Sequence, residues 1–512
     1  MRLPPPAGLA AYGALVAAVA LLVGLGVLPA WAGVVHLVAL PPLDVFADLR
    51  LVLTTAPDYP TLALGLVASA GLRVLLVALL AGEHWRPAWR LAASVYAVAV
   101  VPALVAAQLN FVAHAALYSR VFWAAVVLTG VVVALLAAAV WTGAGRLAAG
   151  VRQAGRAGLR IWLVACYLAG VLVTGAVVSG AGAAAHALGV VVCGALTLAV
   201  IARLREPAGV RPALQLGSAA AVLVVASVSL VTTRGMAPAD PAAERDGSLL
   251  VMSGINSASG QGAIFELDPA VLGYTCDQKY YYSYAGPGDG QPRGDAACPI
   301  RTGAPYEPEH TQRPFDEQVQ LLGEQVAGLP APVTLIAHSQ AAWVAWQAAS
   351  DGRLDRVETL VLLGPFPSSP VGYPPPGQAG PGRVGGDGFR LLEPLVEAAD
   401  FDFMVDAPLS RELLAVPDAV SDVLDAPLPD GLRVLSVTAV PDLSLMPDGW
   451  RIEGSMDACP VREAHPYLPL TPAFHRVLNT VLDGDEPRPC PPWPDLVHRA
   501  SQPLGVPSTT RG

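Results

Sequence analysis

Apolar runs of near-membrane length recur from residue 8 to residue 232, and few soluble folds could bury so many in series. Seven are read, at about 8–31, 60–82, 91–110, 121–141, 161–181, 184–202 and 213–232. Each approaches the ~20 residues a helix needs to cross the hydrocarbon core. The arginines give the series a direction. Arg2, Arg86, Arg90, Arg146, Arg152, Arg156, Arg160, Arg203, Arg205 and Arg211 fall on one side; Arg50 and the boundary residue Arg120 face the other, with Asp44, Asp48 and Asp58. The excess of arginine belongs on the cytoplasmic side, so the N-terminus is expected inside and everything after Thr232 outside. Leu28 to Ala32 has the small residues of a signal-peptidase site, but the apolar core before it is long, and the first run is read as an anchor. Cleavage would not change the outside placement of the second half.

Charge separates the chain into two bodies. Residues 1–232 carry thirteen arginines, no lysine and five acids, a net of +8; with the whole chain at −10, residues 233–512 hold −18. Such an acidic second half argues against a nucleic-acid partner, because polyanions are repelled. Within the first half, Arg73 falls mid-span, where a charge costs at least ~3 kcal/mol. It either pairs with Asp44 or Asp48 or reaches the interface along a tilted helix.

The second half alternates strands and helices. Residues 233–247 form a polar linker, and buried strands are predicted at 248–253, 279–284, 333–336, 356–363 and 432–438. Helices are predicted at about 261–272, 315–326 and 472–482, with helical pieces in 389–424. This order implies a parallel sheet covered on both faces, with ligands bound outside the carboxyl ends of its strands. The fold class is thus an all-α transmembrane bundle followed by an α/β domain over 248–490, with an insertion at 365–424 and a tail at 491–512. The glycines at 286, 288 and 290 lack the Lys-Ser/Thr ending of a phosphate loop, so no nucleotide is expected there. No pattern calls for a cofactor or a metal. Cys276, Cys298, Cys459 and Cys490 make an even count in an exported domain; the local pairs Cys276–Cys298 and Cys459–Cys490 are expected among three possible connectivities. Cys166 and Cys193 lie in apolar spans and are expected to be unpaired, buried thiols.

The strand at 333–336 turns abruptly at Ala337-His338-Ser339-Gln340-Ala341 into a run of small, helix-compatible residues. That is the layout of a nucleophile elbow, with one serine at the apex. A serine hydroxyl needs a positioned base, and the base needs an acid to fix its tautomer. Both follow in the order acid then histidine. Asp442 comes after the strand that ends at Thr438, and His465 comes just before the closing helix. His338 is read as a structural elbow residue.

On these residues the outer half resembles the α/β-hydrolase superfamily, nearest to lipases and esterases, over roughly 248–484. The resemblance implies Ser339 as nucleophile, His465 as base and Asp442 as orienting acid, with Asp448 still open as the acid. It also implies an oxyanion hole from the backbone N–H groups of Gln340 and Ile255. The insertion at 365–424 takes the cap position, and the first two strands of the usual sheet are missing. Alanine replaces glycine at both ends of the elbow.

The expected activity is cleavage or transfer of an ester or thioester acyl group. The expected partners are the lipid bilayer and a small-molecule or lipidic acyl substrate. Two other readings stand beside it: a catalytically dead hydrolase-like binding or scaffold domain, which the paired alanines favour, and a transporter-like bundle with Arg73 in a substrate path.

Overall fold

In a computed structural model of the chain, the structure describes residues 4–81, 161–204, 242–368, 372–397, 402–446 and 449–507, and a few positions between 89 and 100. The expected spans at 121–141 and 213–232, all but a few positions of that at 91–110, most of the linker and Asp448 lie outside the described residues. The chain divides into two compact units, Met1–Thr233 with Arg499–Ser508, and Arg234–His498 with Thr509–Gly512.

The first unit is helical: α1 (Pro6–Gly24), α2 (Leu43–Thr55), α3 (Tyr59–Ala81), α4 (Ile161–Val178) and α5 (Ala183–Leu204). Among the described residues, three helices are long and apolar enough to cross a membrane, at Pro6–Gly24, Tyr59–Leu80 and Ala183–Arg203. Helix α1 stops earlier than the apolar run because Gly26 turns the chain with φ +71° and Pro29 has no N–H to continue a helix. The next segment, Ala32–Val38, is a fully buried 3₁₀ stretch. Helix α2 was not expected, being too short and too polar to read as a span. It carries Asp48, which accepts two hydrogen bonds from Arg73, each 2.7 Å, while Asp44 lies 3.8 Å from the same guanidinium. The mid-span charge is thus neutralised locally. Cys193 is buried, but Cys166 is exposed, contrary to expectation, because an apolar helix has an outward face as well as a packed one. Of the segment expected as a tail, Gln502–Leu504 forms a 3₁₀ turn within the first unit, with Gln502 and Pro503 buried.

The second unit is built on a six-stranded sheet in the order β2-β1-β3-β4-β5-β6, parallel throughout. The strands are β1 (Ser248–Met252), β2 (Lys279–Tyr281), β3 (Val333–His338), β4 (Val357–Leu363), β5 (Arg433–Val437) and β6 (Met456–Asp457). The two-residue β6 is too short to leave an apolar signature and was not expected. In β1 and β3 every residue is buried, as it must be where helices cover both faces. The main covering helices are α6 (Phe315–Ala327), α7 (Ala341–Ser350) and α10 (Pro472–Leu482); α8 (Arg383–Glu397) and α9 (Ala419–Leu424) belong to the insertion, and α11 (Trp493–Ser501) follows α10. Helix α7 buries Trp343 and Trp346 with its alanines, so it is packed on all sides against the sheet and α6. The helix expected over 261–272 is instead one helical turn (Ala263–Glu266) and a 3₁₀ turn (Pro269–Leu272). Pro269 disfavours helical backbone at Asp268, whose carboxylate caps the second turn by accepting from the Ala270 N–H. Cys276 is joined to Cys298, and Cys459 to Cys490.

Candidate active site

Ser339 sits between β3 and α7 with φ +61°, one of three non-glycine residues in the left-handed region among the described residues. A side chain there costs roughly 1–3 kcal/mol and persists only where the surroundings over-determine it. Here the Ser339 N–H donates to the Leu363 carbonyl at 2.7 Å, and its own carbonyl accepts from the Ala342 N–H at 3.0 Å. Ala337 and Ala341 are fully buried, so the elbow accommodates both methyl groups in the core. The loop after β1 lies directly on the serine. A Cβ at Gly254 would fall 2.7 Å from Ser339 Cβ and 2.9 Å from the His338 carbonyl oxygen, so only glycine fits.

Asp442 and His465 come from two further loops at the same edge. Asp442 lies in the 3₁₀ turn Pro441–Leu445 after β5, and His465 opens the turn His465–Leu470 before α10. His465 Nδ1 is 2.7 Å from Asp442 Oδ2, with side chains 3% and 0% exposed. An Nδ1–H donated to the carboxylate leaves the imidazole lone pair on Nε2. His465 is tied to both neighbours of the elbow. His338 Nε2–H donates to the His465 carbonyl at 3.0 Å. On the other side Gly364 follows the carbonyl that holds Ser339; a Cβ there would lie 2.7 Å from His465 Cε1, and its φ is +67°. Phe366 covers the imidazole at 5.3 Å between ring centroids.

Among the described residues, the backbone N–H groups of Gln340 and Ile255 donate to no protein acceptor. Gln340 is held by its side chain, whose Nε2 donates to Gln318 Oε1 at 2.9 Å. The Tyr284 hydroxyl stands 3.3 Å from Gln340 Oε1 and donates to the Ser253 carbonyl at 2.5 Å. Ser339, Asp442 and His465 therefore gather at the carboxyl edge of the sheet, next to the two N–H groups. Gly254, Gly364 and Phe366 were not anticipated. Gly364 with Pro365 reads in sequence only as a strand stop, and nothing local reveals that an imidazole rests on it.

Burial pushes His338 down to about 3, with the His465 ring adding to the effect, and burial also lowers His475, whose Nε2–H donates to the Pro469 carbonyl at 2.8 Å. His338 therefore stays neutral in the folded unit down to about pH 3, whereas in the unfolded chain it takes up a proton below about pH 6.5. The unfolded state then binds more protons, so stability falls as pH drops from 6.5 toward 3, by up to ~1.4 kcal/mol per pH unit for His338, and the lowered His475 acts in the same direction. Denaturant midpoints at pH 7.5 and 5 should show this loss, and His338→Gln should flatten it. A profile flat over that interval, or unchanged in the variant, would contradict neutral burial.

Among the described residues no group of histidine, cysteine, aspartate and glutamate is arranged to hold a metal ion. The sequence matches no protein-family model and no curated protein. Among solved structures, an esterase from Exiguobacterium antarcticum is similar to this chain at 16% identity, over 48% of this chain and 93% of its own length, with a TM-score of 0.28.

Proposed function

We propose that the protein is a membrane-anchored serine hydrolase of the α/β-hydrolase type, acting outside the cytoplasm on an ester or thioester. The observation that carries this reading is the buried Asp442–His465 hydrogen bond beside a serine in left-handed backbone. In the reaction, Ser339 Oγ attacks the acyl carbon and its proton passes to His465 Nε2. Asp442 holds the tautomer and stabilises the imidazolium. The negative charge that develops on the acyl oxygen is met by the N–H groups of Gln340 and Ile255. His465 then gives its proton to the leaving alcohol or thiol, and an acyl-enzyme remains. Water, or an acceptor hydroxyl, enters by the same steps in reverse and releases Ser339.

The anchoring reading adds the remaining apolar runs to the three helices that are long enough, for seven crossings with the N-terminus inside. The two disulfides suit an oxidising compartment. A bilayer beside the site favours an amphiphilic or lipidic acyl substrate.

The test is covalent labelling. Membranes holding the full chain are treated with a fluorophosphonate and digested, and the expected adduct lies on the peptide containing Ser339. No adduct sinks the hydrolase reading in favour of an inactive scaffold, and an adduct elsewhere overturns Ser339 as the nucleophile.

A further inference from the structure

The oxyanion-hole reading depends on where the Ile255 N–H points, and that is decided by one peptide plane. The carbonyl and N–H of a peptide point in opposite directions, so holding the Gly254 oxygen aims the Ile255 N–H the other way. Ser257 Oγ–H donates to the Gly254 oxygen at 2.8 Å. The next residue, Asn256, is left-handed at φ +62°, and its N–H donates to Thr311 Oγ1 at 3.0 Å. Its side chain does something the turn itself does not require. Asn256 Oδ1 accepts at 2.7 Å from the backbone N–H of Asp402, in the insertion. The same stretch of the insertion is gripped by Gln312, whose Nε2 donates to the Asp402 carbonyl at 2.6 Å and whose Oε1 accepts from the Met404 N–H at 2.8 Å. Gln312 is buried and next to Thr311, so the contacts converge on one corner.

We propose that Asn256 is a positioning residue that couples the insertion to the oxyanion hole. With Asp402–Met404 docked on Asn256 and Gln312, the Gly254–Ile255 peptide is held with its N–H toward the acyl oxygen. When that segment lifts, Asn256 keeps only its backbone tie to Thr311, its side chain is released, and the donor is aimed less well. This rests on the hydrolase reading above. The side chains of residues 402–404 make none of these three hydrogen bonds; only their backbone does, so the coupling reads the position of the insertion and not its local sequence.

The test uses the purified full chain and a small soluble acetate ester. Asn256→Gly keeps a residue that tolerates positive φ and removes only the acceptor for Asp402. It is expected to lower kcat about tenfold, a fraction of the ~10²–10³ that losing one donor outright costs, with KM within about twofold. Asn256→Asp, which retains an acceptor oxygen, should recover most of kcat. Gln312→Ala, which frees the same segment without touching the loop after β1, should reproduce the kcat loss, and the double variant should fall no further than Asn256→Gly. A change confined to KM, or to the thermal midpoint, would show the contact to be a substrate wall or a structural tie and would overturn the proposal. So would additive losses in the double variant. Labelling of Ser339 in the wild type separates the two levels: labelled enzyme with unaffected variants defeats only this coupling, while absence of labelling defeats the hydrolase reading and the coupling with it.

Discussion

Ester hydrolysis by Ser339→Ala is expected to fall by a factor on the order of 10⁴–10⁶, the range over which loss of a serine nucleophile acts when base and acid remain in place. The substitution removes one oxygen and nothing else. Ser339 is 8% exposed, its N–H and carbonyl are engaged through the backbone, and alanine keeps the same left-handed φ at a similar cost. The variant should therefore fold with an unchanged thermal midpoint, which separates lost chemistry from lost structure. Hydrolysis of a chromogenic short-chain ester by the purified full chain measures it. Activity above about a tenth of wild type would mean that another group attacks the acyl carbon.

Asp442→Asn is expected to cost about 10⁴ in kcat with little change in KM, the scale set by a triad acid whose charge is removed while its shape is kept. Asp442 is fully buried and lies 2.7 Å from His465 Nδ1. An asparagine there can turn its NH₂ toward Nδ1, which moves the ring proton to Nε2 and leaves no lone pair to receive the serine proton. The comparison that gives the result its meaning is Asp448→Asn. If Asp442 is the acid, Asp448→Asn stays within a few-fold of wild type. The opposite pattern would reassign the acid to Asp448.

Much of this arrangement was legible from residue order. The strands at 333, 357 and 433 are mostly apolar and buried because the sheet is covered on both faces, and such runs need no tertiary information to be found. The order serine, acid, histidine was equally plain, the first two following apolar strands and the third preceding the closing helix. What escaped were features made by contact between distant parts of the chain. Gly254 and Gly364 are needed because Ser339 and His465 press on them, and no local pattern records that pressure. Helix α2 leaves no apolar run of span length, because its polar residues serve Arg73 on the neighbouring helix. The single helix drawn through 261–272 failed for a local reason that was in plain view, the proline at 269.

The hydrogen bond from His338 to the His465 carbonyl has a kinetic side. It gauges the loop that carries the imidazole from the last residue of β3, and Ser339 is the residue that follows. Serine and histidine are thus both measured from the end of one fully buried strand, with the Leu363 carbonyl and Gly364 giving the same service from the adjacent strand. A shift at the end of β3 therefore reaches both groups at once, while Asp442 steadies the imidazole from a third loop.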